Sequence, residues 1–217
     1  MILSQKLKSI LYINLHFKNM VKFTASEIRD LIISLIVISF AFALLLSNGN
    51  IGLAITLIPL TLVVVGLGFI FHELAHKFVA IRYGYWAEYQ MWIQGLVLCL
   101  ITAYFGFLFA APGAVYIHGE YLSKKENGII SIAGSVTNLI FAIIFLLIIK
   151  ITGQVYYWAY LGMFINGFLA FFNQLPIGGL DGSKVIRWNP IIWIMIIIVS
   201  LGFVAIGYFP NLLLLLL

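Results

Sequence analysis

The sequence is poor in charged residues and in cysteine. Only 9% of its 217 residues are charged and 64% are hydrophobic, whereas roughly a quarter of the residues in a soluble domain are charged. This composition excludes a water-soluble globular protein and a disordered chain. The net charge of +5 does not indicate nucleic-acid binding, because the basic residues are dispersed at the edges of apolar runs. We therefore expect an integral membrane protein.

The single cysteine, Cys99, excludes an internal disulfide and any metal site built from several cysteines. Because Cys99 lies within an apolar run, we expect it to be a small hydrophobic core residue.

Several charge-free stretches are long enough to cross a bilayer as helices, which takes roughly 20 residues. No charge lies between Asp30 and His72, and the turn-forming residues 47–50 divide this stretch into a helical hairpin. Its first helix is predicted over 27–46, and its second from Ile51 onward. Three further stretches reach spanning length, at 128–149, at 151–180 and from 188 to the C-terminus. This pattern predicts an all-α polytopic membrane protein with about five to six transmembrane helices.

The N-terminal residues differ from the rest of the chain. Residues 1–23 are basic, and their alternating apolar residues are typical of a short strand or an interfacial segment. Residues 24–217 are predicted to form a single membrane-embedded domain without an appended soluble domain, and we expect no cleaved signal peptide. Thr24 and Glu27 have the spacing of a capping box at the head of the first helix.

The second predicted helix carries a cluster of ionisable residues, His72-Glu73-Leu74-Ala75-His76. Histidines at positions i and i+4 lie one turn apart on the same helical face, so both imidazoles can reach one metal ion. Glu73 would lie close to a metal-bound water without ligating the metal. The alternative is a helix end whose histidines cap carbonyls while Glu73 pairs with Lys77. Because ionisable residues at membrane depth are costly and mark functional sites, we favour the metal site.

A catalytic zinc site needs a third protein ligand, with the fourth position left for water. Among the acidic residues, Asp181 is isolated in a segment rich in proline and glycine, 173–182, at the end of an apolar run. Irregular backbone at that depth is tolerated only against protein or a water-filled cavity. Asp181 is therefore the predicted third ligand, although in isolation an Asp-Gly turn would explain it equally well.

The two motifs together resemble the site-2 protease family of intramembrane zinc metalloproteases. The resemblance rests on His72-Glu73-x-x-His76 and on Asn173-x-x-Pro176-x-x-x-Leu180-Asp181-Gly182. It implies that His72, His76 and Asp181 bind one Zn²⁺ per chain and that Glu73 is the general base. Asn173 occupies the position thought to bind substrate or the oxyanion.

A third element, residues 133–138, resembles the family's Gly-Pro-x-x-Asn segment. Ser135 replaces the proline there, which bears on the local helix geometry and on no catalytic group.

A shared metal constrains the topology, since His72, His76 and Asp181 must reach the same side of the membrane. The charge-free stretch 89–117 must then enter and leave on one side, as a re-entrant or short β element between the second and third long spans. With the N-terminus in the cytoplasm, all of the 12 basic residues except Lys150 fall on the cytoplasmic side, as the positive-inside rule requires. A full crossing at 91–110 is the alternative.

We therefore expect a multi-pass enzyme of the cell membrane, with its active site towards the cytoplasm, that cleaves a single-pass transmembrane substrate. Residues 113–117 either offer a strand edge to the unwound substrate or form a connecting loop. The alternative function is a transporter or channel with a metal-transit site, and a metal-stabilised scaffold is a third possibility.

Overall fold

The computed structural model describes residues 21–109, 111–119 and 121–214. The predicted basic segment 1–23 lies almost entirely outside the described residues. Within them the protein consists of helices and one two-stranded sheet, which confirms the predicted all-α fold with a short β element. In chain order the elements are α1 (Ala25–Leu46), α2 (Ile51–Arg82), β1 (Trp86–Met91), α3 (Ile93–Tyr104), β2 (Gly113–His118), α4 (Lys124–Thr152), α5 (Tyr157–Asn173), α6 (Gly182–Trp188), α7 (Pro190–Tyr208) and α8 (Asn211–Leu214).

Among the described residues, four helices are long and apolar enough to cross a membrane: α1, α2, α4 and α7. Helix α5 has 17 residues, at the lower end of the length that a span needs. The predicted stretch 151–180 is therefore only partly helical. Helix α4 extends to Thr152 and ends at Gly153 in the left-handed conformation, with φ 63°. The chain after Asn173 is irregular, as its proline and glycines predict.

The helix starts follow the expected capping chemistry only in part. The Thr24 hydroxyl accepts a hydrogen bond from the backbone N–H of Glu27, but the Glu27 carboxylate does not return to Thr24. The predicted capping box is therefore wrong in its second half, because Glu27 is drawn into the protein interior instead. A complete capping box forms at the head of α4, between Ser123 and Glu126.

Residues 89–117 leave the two-stranded sheet at β1 and return to the same sheet at β2. Strands β1 and β2 pair antiparallel, with Met91 opposite Gly113 at one end and Trp86 opposite His118 at the other. Helix α3 lies between them and has only 12 residues, too few to cross a hydrocarbon core. The excursion therefore starts and ends at one two-stranded sheet, which confirms the short β element predicted between the second and third long spans. Cys99 on α3 is fully buried, which confirms its prediction as a core residue.

Helix α2 occupies the centre of the molecule. It packs against α1, α4 and α5, and α7 covers α5 from outside. One apolar cluster fills the space between α1, α2, α3 and α5, and a second lies among α4, α5 and α7. The C-terminal third of α2, which carries the ionisable motif, is thereby enclosed by other elements.

Candidate metal centre

Helix α2 places two imidazoles side by side. The Nε2 atoms of His72 and His76 are 3.0 Å apart, and both residues are buried, at 5% and 6% exposure. This is the arrangement that the i and i+4 spacing on one helix predicts.

Asp181 reaches the same place from the other end of the chain. Its Oδ2 atom lies 3.0 Å from Nε2 of His76 and 3.5 Å from Nε2 of His72. The segment that carries it is anchored by Gln174, whose Nε2 donates to Ser135 Oγ on α4 (2.9 Å) and whose carbonyl accepts from Trp193 Nε1 (2.7 Å). The structure thus brings together His72, His76 and Asp181, the three residues predicted from the sequence to be metal ligands.

The hydrogen bonds behind the histidines fix their tautomers. Nδ1 of His76 lies 2.7 Å from the carbonyl oxygen of Ile130, which can only accept, so this nitrogen carries the proton. Nδ1 of His72 lies 2.6 Å from Oδ1 of Asn138. The Asn138 amide is oriented because its Nδ2 donates to the carbonyl of Gly68 (3.0 Å). Nδ1 of His72 is therefore also a donor, and both Nε2 atoms present lone pairs.

Three electron-pair donors consequently face one another: two bare imidazole nitrogens and a carboxylate oxygen. Without a cation between them they repel. With ligand distances of about 2.0–2.2 Å, tetrahedral zinc ligands lie roughly 3.3–3.5 Å apart, close to the 3.0–3.5 Å separations observed. His72, His76 and Asp181 form the group among the described residues that can hold a metal ion, and their donor set suits zinc.

Glycine at position 134 keeps this space open. Helix α4 passes so close to the histidines that a Cβ on Gly134 would lie 2.5 Å from Nε2 of His76 and 2.6 Å from Nε2 of His72. A methyl group would therefore occupy the space beside the ligand nitrogens.

A cavity of about 310 Å³ opens beside the three ligands, and Glu73 and Asn173 line it. Glu73 is buried, and Lys77 does not pair with it: the lysine contacts Glu27 on α1 instead. The alternative prediction of a Glu73–Lys77 pair is therefore wrong. Asn173 uses one amide hydrogen on the carbonyl of Leu169 (2.9 Å), so its second amide hydrogen remains for another acceptor.

Lys184 lies on the far side of the Asp181 carboxylate. Its Nζ is 3.3 Å from Oδ1 of Asp181, the oxygen that does not face the histidines. The ammonium group of Lys184 favours the ionised form of this carboxylate. The carboxylate is therefore ionised, as a metal ligand must be.

Most of the cavity wall is apolar. It includes Ile38, Phe69, Trp92 and Phe109, together with the whole of 111–117, which contains most of β2.

Asn138, the asparagine of the segment that resembles Gly-Pro-x-x-Asn, and Asn166 were not predicted from the sequence to support the metal site. Both are fully buried, and Nδ2 of Asn138 donates to Oδ1 of Asn166 (3.1 Å), whose own Nδ2 donates to the carbonyl of Gly162 (2.9 Å). Two asparagines within apolar runs carry the signal that polar residues at membrane depth have a function. Ser135, which replaces the proline of the family's Gly-Pro-x-x-Asn segment, lies within a continuous helix α4.

The remaining acidic candidates lie elsewhere. Asp30 accepts from Arg29 and from the N–H of Met91, and Glu88 accepts from Thr24. Glu120 lies outside the described residues.

Comparison with known proteins agrees with this chemistry. The chain is 44% identical over 191 residues to "Putative zinc metalloprotease MJ0611" of Methanocaldococcus jannaschii, an alignment that covers 86% of this chain and 94% of that protein. It is 28% identical over 130 residues to "Putative zinc metalloprotease Rip2" of Mycolicibacterium smegmatis, covering 51% of this chain and 49% of that protein. No protein-family model matches the chain, and no solved structure matches it.

The fold is helical and apolar, and a His-Glu-x-x-His motif meets a distant aspartate at one buried site. These features are those of the membrane zinc metalloproteases. Because the first alignment covers most of both chains at 44% identity, it shows that the chain belongs to the site-2 protease-like family of zinc metalloproteases.

Proposed function

We propose that this protein is an intramembrane zinc metalloprotease that hydrolyses peptide bonds in or near transmembrane segments of other membrane proteins. The observation that carries the proposal is the convergence of His72, His76 and Asp181 beside a cavity that Glu73 also lines. A glutamate next to such a site serves hydrolysis, and metal transit does not require it.

In the proposed reaction His72, His76 and Asp181 hold one zinc ion. Zinc, when bound, supplies a Lewis acid that makes water nucleophilic near neutral pH and polarises a carbonyl. Glu73 accepts a proton from the attacking water and passes it to the amine that leaves. A C–O bond forms, the peptide C–N bond breaks, and the proton ends on the new amino group. Asn173 donates its second amide hydrogen to the oxygen on which negative charge develops.

The substrate is proposed to bind as an extended strand. Peptide carbonyls in an intact helix are shielded by their own hydrogen bonds, so the segment must unwind before it is cut. Strand β2 lines the cavity, and its backbone can pair with an unwound segment by strand addition. We further propose a multi-pass protein of the cell membrane, with its N-terminus and active site towards the cytoplasm, as its basic residues favour.

Replacing Glu73 tests the mechanism. Glu73→Gln keeps the size and polarity of the side chain but removes the base, so cleavage of a model membrane-spanning peptide should fall by about 10²–10⁴-fold. Zinc bound per chain should stay unchanged. Both quantities are measured on purified protein in lipid, with a chelator-treated sample as a second control.

The same variant separates the proposal from its rivals. If the protein were a transporter or a metal-stabilised scaffold, the E73Q variant would keep its transport activity or its bound zinc. In that case the wild-type protein would not cleave the peptide either. If purified E73Q cleaves the peptide at the wild-type rate, the assignment of Glu73 as general base is wrong.

A further inference from the structure

The two outer edges of the β1–β2 sheet differ in their surroundings: the β1 edge contacts helix α1, and the β2 edge lines the cavity. On β1, the backbone N–H of Tyr89 donates to Oε1 of Glu27 (3.1 Å), and the N–H of Met91 donates to Oδ2 of Asp30 (3.2 Å). Both carboxylates belong to α1 and both residues are buried, at 1% and 7% exposure. Two of the outward-facing amides on this edge, those of Tyr89 and Met91, are therefore already occupied.

The outer edge of β2 faces the cavity. The N–H of Trp92 donates to the carbonyl of Pro112, so in this register the even-numbered residues of β2 point their backbone groups at β1. The backbone groups of Gly113, Val115 and Ile117 point the other way, and these three residues line the cavity beside the metal ligands.

Glu27 also ties the sheet to the helix that carries the ligands. Its second oxygen pairs with Nζ of Lys77, the residue directly after His76 on α2. Both side chains of this pair are 1% exposed, and Lys77 also donates to the carbonyl of Lys22 (2.8 Å). A single carboxylate thus links β1 with the turn of α2 next to the metal site.

We propose that Glu27 and Asp30 are positioning residues that close the β1 edge and leave the β2 edge for the substrate. By accepting from the Tyr89 amide, Glu27 also sets the position of β1, and of the β2 strand paired with it, relative to the metal ligands, and hence which peptide bond is cut. The inference rests on the proposed function, because it concerns how the same site receives its substrate.

Two double variants isolate the contact from Glu27 to Tyr89. E27Q/K77M replaces the buried ion pair but retains a side-chain carbonyl that accepts from Tyr89. E27M/K77M has similar volume and charge but offers Tyr89 no acceptor, so the amide is orphaned and β1 shifts. Ile28→Val, an exposed position on the same turn of α1, is the surface control.

We expect E27M/K77M to raise KM about tenfold while kcat changes by less than about twofold. Its cleavage products, identified by mass spectrometry on one membrane-spanning peptide, should spread to bonds two residues from the main site, because a two-residue slip keeps each side chain on its face. E27Q/K77M should retain the main site. A role limited to folding would lower the yield of active protein without moving the site of cleavage. Equal KM and identical products for both variants would overturn the proposal.

Hydrogen exchange separates this inference from the proposed function. In the free protein the amides of Tyr89 and Met91 should exchange at least about tenfold more slowly than those of Val115 and Ile117. Binding of the peptide to E73Q should then slow exchange on β2. If both edges exchange equally in the free protein, the closed β1 edge is wrong whatever the enzyme does. If the asymmetry is present and the wild type cuts no peptide, the proposed function fails instead.

Discussion

Two buried polar clusters meet at consecutive residues of α2, His76 in one and Lys77 in the other, and they differ in how their charges are balanced. The ion pair of Glu27 and Lys77 is complete within the protein, since a carboxylate meets an ammonium group. In the cluster of His72, His76 and Asp181, three electron-pair donors face one another, and the Lys184 ammonium group contacts only the Asp181 oxygen that faces away from the histidines. A buried polar group must be satisfied, so the second cluster needs a cation and the first does not.

The comparison shows which buried charge serves the structure and which serves chemistry. Burial alone does not separate them, because Lys77 is more deeply buried than His72 or His76. What separates them is whether the protein itself supplies the partner.

Removing a ligand should have the largest effect. Asp181→Ala takes away the one ionised oxygen of the cluster, so zinc bound per chain should be lost and peptide cleavage should fall about a thousandfold or more. Metal analysis and cleavage assays measure the two effects. Unchanged zinc content would remove Asp181 from the ligand set.

Breaking the ion pair should destabilise the fold without touching the metal. Lys77→Met leaves the Glu27 carboxylate buried and unpaired, which should cost about 3–5 kcal/mol of unfolding free energy. E27Q/K77M removes both charges and should recover most of that loss. Denaturant unfolding in detergent gives the free energies, and the zinc affinity of the folded double variant serves as the control. A double variant as unstable as K77M would show that repulsion of an unpaired charge is not the cause.

Filling the space beside the ligands should weaken metal binding. Gly134→Ala places a methyl group against both Nε2 atoms, and overpacking of about 1–3 kcal/mol corresponds to roughly a tenfold to hundredfold loss of zinc affinity. Gly202→Ala on α7 is the matched control, since nothing lies within 4 Å of a Cβ there. Competition with a chromophoric chelator measures both affinities. Equal affinities in the two variants would place the ion away from Gly134.

Loss of the hydrogen bond behind His72 should have the smallest effect. Asn138→Ala removes the acceptor that orients the imidazole, so zinc affinity should fall about tenfold, at the lower end of the range for such supporting contacts. The same competition assay measures it. Asn138→Asp retains an acceptor for His72 and should lose less; the reverse order would contradict the tautomer assigned here.

Much of this architecture could be predicted from the sequence. The charge-free runs predict the helices, and the demand that Asp181 meet His72 and His76 predicts the short β element within 89–117. Local patterns carry less information about long-range partners. Glu27 has the spacing of a capping residue, but its side chain turns to Lys77 and Tyr89, far along the chain. Asn138 and Asn166 become interpretable only when α2, α4 and α5 are packed together.

The most direct test of the central claim is X-ray absorption at the zinc edge on the purified, zinc-loaded protein. A metal centre built from His72, His76 and Asp181 should give a four-coordinate ion with two imidazole nitrogens and oxygen ligands at about 2.0–2.2 Å. The imidazole signal should be lost when His72 and His76 are both replaced by alanine. A shell of six oxygens without imidazole, or an unchanged spectrum in that double variant, would contradict a metal centre built from His72, His76 and Asp181.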